Sequence, residues 1–196
     1  MGRCGGPCPV VIRGNPQKPD YLERCGVRRT SLLVGLFSVL IAGAAWAESP
    51  SIELRGFDAR AHNVNEYIGH GKWVVVVTWA HDCRICDEEI HHMAEFYQAH
   101  KDRDATVLGV SIDGYKQVAL ARAFVERHKL PFPNLIAEPS QEVMMKFGAG
   151  EFVGTPTYYI YNPQGRIVGR NIGPITRKEV EDFLVSETQA VKHDNK

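Results

Sequence analysis

Cys83 and Cys86 stand two residues apart in the run Trp79-Ala-His-Asp-Cys83-Arg-Ile-Cys86. A disulfide closing so short a loop restricts the unfolded chain little, so the spacing points to redox chemistry rather than stability. That chemistry needs a thiolate. At the start of a helix, the first cysteine sees unpaired backbone N–H groups and the positive end of the helix dipole, which favour ionised sulfur. Cys83 is therefore the expected nucleophile. Cys86, one turn inside, is the expected buried partner that attacks the mixed disulfide and releases the substrate. Neighbouring charges pull both ways: Asp82 opposes the thiolate, while Arg84 and a protonated His81 favour it.

The elements that must hold this pair are legible on both sides of it. Residues 73–78 read Trp-Val-Val-Val-Val-Thr, the composition of a strand buried on both faces and so central in its sheet. After Cys86, Ile90, Met93, Ala94, Phe96 and Tyr97 recur at helical spacing to about His100. Strand, tight turn and helix place the cysteines at a helix entrance. Further on, 105–112 reads as a second buried strand and 118–128 as a helix, stopped by Leu130-Pro-Phe-Pro133. A short strand at 134–136, a helix at 141–147 and a hairpin of strands 157–161 and 166–172 come next. Thr176-Arg-Lys-Glu179 is a capping box opening the last helix, whose inward side is Val180, Phe183 and Leu184. Residues 51–57 alternate weakly, 61–72 read as a polar connector, and 189–196 as a polar, frayed tail. The order predicts an α/β domain with a mixed central sheet and helices on both faces.

Several of these segments carry a resemblance. Gly71-Lys72 before the strand, Trp79-Ala80, Cys83-x-x-Cys86, Val110-Ser-Ile-Asp113, Gly154-Thr-Pro156-Thr and Asn162-Pro-Gln-Gly165-Arg-Ile-Val168 resemble the thioredoxin superfamily. Within it they are similar to the exported TlpA-like and ResA-like thiol-disulfide reductases. The likeness covers nearly all of 51–184 and implies a thioredoxin-like fold. It also implies that Pro156 is cis, faces the cysteines and lets the Thr155 backbone pair with a substrate. Glu89 matches a family glutamate able to move a proton to or from Cys86; a solvated helix-face carboxylate is the blander alternative. Trp79 reads as strand-end packing that can also shield the sulfurs. Three departures matter: Asp82 stands where the family has tryptophan, Val77 replaces a polar residue beneath the cysteines, and Arg84-Ile85 replaces a proline-containing pair.

Two rivals compete with a redox enzyme. Cys83, Cys86, His81, His91 and His92 offer soft and borderline ligands for copper or zinc, although His91 and His92, adjacent on a helix, point about 100° apart. A non-catalytic binding protein on the same fold is the other. A peroxidase is disfavoured, since the Pro-x-x-x-Thr/Ser-x-x-Cys pattern does not precede Cys83. No cofactor, metal, nucleotide or flavin is implied.

At the front, Arg28-Arg29-Thr-Ser precedes an apolar run ending Ala45-Trp46-Ala47, the layout of a signal peptide with cleavage near Ala47. About 15 apolar residues is short for a membrane span, which takes roughly 20; an uncleaved N-terminal anchor is the alternative. Residues 1–26 hold three of the five cysteines and no hydrophobic periodicity, so they read as a non-native or disordered extension, with Val27 as the true start of a signal at 27–47. Residues 48–196 contain seventeen basic and twenty-one acidic side chains, a balance that does not attract nucleic acid. The domain proper is expected at 48–188. Export implies a periplasmic, soluble domain whose partners are disulfide-containing exported clients and a membrane electron donor.

Overall fold

The computed structural model describes residues 49–194, with side chains to Val191. The extension and signal read at 1–26 and 27–47 lie outside the described residues. The elements run β1 (Glu53–Gly56), β2 (Ala61–Asn63), β3 (Trp73–Trp79), α1 (Arg84–His100), β4 (Ala105–Ser111), α2 (Val118–His128), β5 (Asn134–Ile136), α3 (Gln141–Met145), β6 (Thr157–Tyr161), β7 (Ile167–Ile172) and α4 (Arg177–Asp194). Seven strands form one sheet in the order β2-β1-β5-β4-β3-β6-β7. β3 pairs parallel with β4 and antiparallel with β6, so the sheet is mixed and the valine-rich strand lies inside it, as its composition requires.

Alternation along β3 divides the core. Val75, Val77 and Trp79 face α1, α2 and α4, and Cys86, Ile90, Met93 and Phe96 of α1 pack among them. Val74 and Val76 face the other way, toward Ile52, Leu54, Val64, Met144 and Phe147. Helices do cover both faces, but unequally: α1, α2 and α4 pack on the first, while the second is met by the short α3 and the 3₁₀ turn at Val64–Glu66.

Three boundaries differ from the sequence reading. The 61–72 connector contains β2 and a 3₁₀ turn at Val64–Glu66, capped by Asn63 and Glu66 in a reciprocal capping box. Ala-His-Asn has no hydrophobic alternation; its strand exists because β1 supplies a partner, Leu54 opposite His62. The helix expected at 141–147 ends at Met145. From 189, read as a polar tail, the backbone continues as helix, since α4 runs to Asp194. Among the described residues no helix is long and apolar enough to cross a membrane.

Candidate active site

β3 ends at Trp79, and the chain turns at once: the Cys83 N–H donates to the Ala80 carbonyl at 3.2 Å. Cys83 then caps α1, its Sγ accepting from the Cys86 N–H at 3.1 Å while its carbonyl accepts from Asp87 N–H at 3.0 Å. A sulfur thus holds a place usually taken by a serine or aspartate oxygen, against donors a helix leaves unpaired. Cys83 and Cys86 are joined in a disulfide with Cα atoms 5.2 Å apart. Cys83 is partly exposed and Cys86 is 1% exposed, the asymmetry expected of an attacking and a resolving sulfur.

β6 brings up the other half of the site. The Thr155–Pro156 peptide is cis, and the Thr155 carbonyl oxygen lies 3.5 Å from Cys83 Sγ. With the disulfide closed, that sulfur has no proton to donate; a Cys83 thiol could bond there. The loop is fixed from behind: Thr157 N–H donates to Thr78 Oγ1, Thr157 Oγ1 donates to the Gly154 carbonyl at 2.5 Å, and Gly173 N–H donates to the Pro156 carbonyl at 2.9 Å. Among the described residues the Thr155 backbone makes no hydrogen bond to other backbone, so it is free to pair with an extended chain. Ile85, between the cysteines, and Val153, two residues before Thr155, are apolar side chains 39% and 71% exposed.

The remaining candidates separate. Trp79 is fully buried, stacks on Phe124 at 4.5 Å and donates its indole N–H to Asn134 Oδ1 at 3.1 Å, so it is packing beneath the cysteines rather than a surface for substrate. Gly109 makes that bond feasible, since a Cβ there would fall 1.9 Å from the Asn134 oxygen. Glu89 is 27% exposed, one turn after Cys86, with His92 at 3.6 Å. Asp82 is exposed beside Cys83. Arg84 lies in solvent and leans on Glu88 at 3.7 Å, along the helix.

The sequence marks Ser111 and Asp113 through the family likeness alone, with no role attached; the structure gives them one. The Asp113 side chain, 3% exposed, accepts from the His81 backbone N–H at 3.1 Å, from Ser111 Oγ at 2.6 Å, and lies 2.7 Å from His81 Nδ1. It clamps the turn that carries Cys83 to the end of β4. An acidic residue closing a buried strand beside the redox turn was the available signal.

The metal rival gains nothing from this geometry. The His91 and His92 rings come within 4.0 Å of each other, closer than their 100° offset suggests, yet His91 Nδ1 lies 2.9 Å from the Glu88 carbonyl and His92 faces Glu89. Among the described residues His81, Asp82 and Asp113 hold ligand atoms within 4.8 Å, but Asp113 is already committed to hydrogen bonds.

Residues 47–170 match the AhpC/TSA family. The chain belongs to that family. Within this branch of the thioredoxin superfamily, it is 24% identical over 156 residues to thiol-disulfide oxidoreductase ResA of Geobacillus thermodenitrificans, covering 80% of this chain and 85% of the relative. ResA of Halalkalibacterium halodurans is 27% identical over 137 residues, 70% and 68% of the two chains. Two solved structures show the same fold: a DsbF homologue from Corynebacterium diphtheriae, with TM-score 0.62, 20% identity and 82% and 99% coverage, and a thioredoxin family protein from Chlorobium tepidum, with TM-score 0.59, 20% identity and 70% and 93% coverage. An AhpC/TSA-family chain with this fold, such relatives and a closed Cys-x-x-Cys pair at a helix entrance is a thiol-disulfide oxidoreductase.

Proposed function

We propose that the protein is exported to the periplasm, or held there by an uncleaved N-terminal anchor, and reduces disulfides of exported client proteins. The observation that carries this reading is the pairing of a partly exposed Cys83 with unpaired Thr155 backbone at cis-Pro156, over a fully buried Cys86. In the reducing direction the Cys83 thiolate attacks one sulfur of a client disulfide. A Cys83–client disulfide forms, and the other client sulfur leaves as thiolate. Thr155 pairs with the client backbone, and Cys86 then attacks Cys83, re-forming the intramolecular disulfide and releasing the second client thiolate. Glu89 takes the Cys86 proton in that step. Two electrons pass to the client, so a membrane electron donor must return the pair to the dithiol.

Cys86→Ser tests this directly. Expressed from the full gene, it is expected to accumulate Cys83-linked mixed disulfides with periplasmic proteins that dissolve on adding dithiothreitol. A Cys86→Ser protein recovered from the periplasm as free monomer, under conditions where Cys83 can be alkylated, contradicts the reading.

A further inference from the structure

β6 carries consecutive tyrosines, and strand alternation sends them to opposite faces. Tyr158 lies with Cys86, Ile90 and Val180 on the face of α1 and α4; Tyr159 lies with Val76 and Phe147 on the other. Both are fully buried, and neither hydroxyl has a hydrogen-bond partner among the described residues. A buried hydroxyl without a partner is costly and uncommon in native proteins, so each calls for a reason. Their surroundings differ in kind. The charge acting on Tyr159 is Arg170, a donor only, whose Nε is likewise buried without a partner among the described residues, and Tyr159 stands on the face away from the cysteines. The charge acting on Tyr158 is the Glu89 carboxylate, an acceptor. Burial first, and that carboxylate second, push the phenol well above its ordinary range, so it stays a neutral donor.

Glu89 is itself loosely held. It sits three residues after Cys86, one turn along the same helix face. In this disulfide form its contact is His92 at 3.6 Å, too long for a hydrogen bond. The groups facing the pair are Cys86 and His92 from α1, Glu179 of α4, on which His92 acts, and Tyr158 from the sheet.

We propose that Tyr158 is a positioning residue for the resolving step: in the dithiol and mixed-disulfide states its hydroxyl donates to the Glu89 carboxylate and holds it toward Cys86. This rests on the exchange reaction proposed above, with Glu89 as its base. The Glu89 carboxylate takes the proton from Cys86 Sγ. The Cys86 thiolate attacks Cys83 Sγ, the Cys83–client S–S bond breaks, and its electron pair leaves on the client sulfur. The dithiol is oxidised, the client is reduced, and Glu89 passes its proton to solvent. A donor to the ionised carboxylate keeps it ionised to lower pH. Without Tyr158 the carboxylate is protonated earlier as pH falls, and the acid limb of the rate moves up.

The test uses the purified full chain as wild type, Tyr158→Phe, Tyr159→Phe and Glu89→Gln, plus the Glu89→Gln/Tyr158→Phe double variant. The reduced protein is converted to a Cys83 mixed disulfide with an aromatic thiol, and release of that thiol by Cys86 is followed against pH. Tyr158→Phe is expected to slow release roughly tenfold on the acid side and to displace the acid limb upward by about one pH unit, the scale of one hydrogen bond to a charged group. Its thermal midpoint should equal or exceed wild type, because no made bond is lost in the disulfide form. Tyr159→Phe should match wild type in rate and profile. In the Glu89→Gln background Tyr158→Phe should add nothing. A wild-type pH profile for Tyr158→Phe, or the same displacement from Tyr159→Phe, overturns the proposal. Loss of the acid limb in Glu89→Gln would then leave Glu89 standing as the base. Failure of wild type to release the thiol at any pH would instead strike the exchange reaction itself.

Discussion

The two ends of α1 are built on opposite plans. At the N-terminus Cys83 caps the helix with sulfur, and its neighbours Asp82, Arg84 and Ile85 face solvent. At the C-terminus His100, 9% exposed, is bound on both ring nitrogens, with Nδ1 2.8 Å from Asp104 and Nε2 3.1 Å from Glu181 of α4, while its ring stacks on Phe96. Arg177 reaches the same Glu181 oxygen at 2.6 Å. Both ring nitrogens therefore face carboxylate oxygens, one from the turn after the helix and one from α4. One end anchors the helix with a saturated polar network. The other is capped by an atom whose bonding changes during turnover.

Chemistry and stability should therefore separate along one helix. The largest effect expected is from Cys83→Ser. Serine is a favoured N-cap and the short disulfide loop constrains little, so circular dichroism and melting should change modestly, while disulfide reductase turnover falls to background. At the opposite end, His100→Ala should cost about 2 to 3 kcal/mol in denaturant unfolding by breaking bonds to charged groups, with turnover per folded molecule retained. Loss of turnover without loss of stability in that variant would erase the distinction.

The same network makes a pH prediction. Glu181 is held below its usual range by the hydrogen bonds from Arg177 and then His100, against burial. For Asp104 burial pushes upward, but the His100 hydrogen bond and the positive charges of His100 and Arg103 outweigh it. A carboxylate lowered on folding contributes stability above its unfolded pKa, about 4, and loses it as pH falls through the folded value. Unfolding titrations of wild type should thus lose stability below about pH 4, and His100→Ala should lose less over that interval. A smaller effect is expected at the near end. Asp113→Asn should destabilise by about 1 to 2 kcal/mol and move the reduction potential, because the clamp on the turn before Cys83 loses an acceptor. The smallest is Arg84→Ala, within about 0.5 kcal/mol, since Arg84 makes only an exposed pair with Glu88.

How much could be read from the sequence depends on the range of the interactions involved. The Val74-Val77 run, the heptad-like spacing from Ile90 to Tyr97 and the Thr176/Glu179 box are local signals, and the structure places β3, α1 and the start of α4 on them. In the box, Thr176 N–H donates to Glu179 Oε2 at 2.8 Å. The cysteine pair was marked by spacing and by resemblance, Thr155-Pro156 by resemblance alone. Partners distant in sequence were not. His100 meets a carboxylate 81 residues away, Trp79 meets Asn134 across a gap left by Gly109, and β2 has a partner but no pattern. Arg84, read from the sequence as a charge favouring the thiolate, has an exposed i+4 pair with Glu88 that helix spacing alone supplies.

The central claim is that Cys83 and Cys86 form one two-electron couple poised for reduction. Equilibrating the protein in glutathione redox buffers, then counting alkylated thiols by mass, measures it. Both cysteines should be modified together, with a midpoint far below the roughly −120 mV of a strongly oxidising dithiol. A midpoint near that value, or cysteines that titrate independently, would contradict the account.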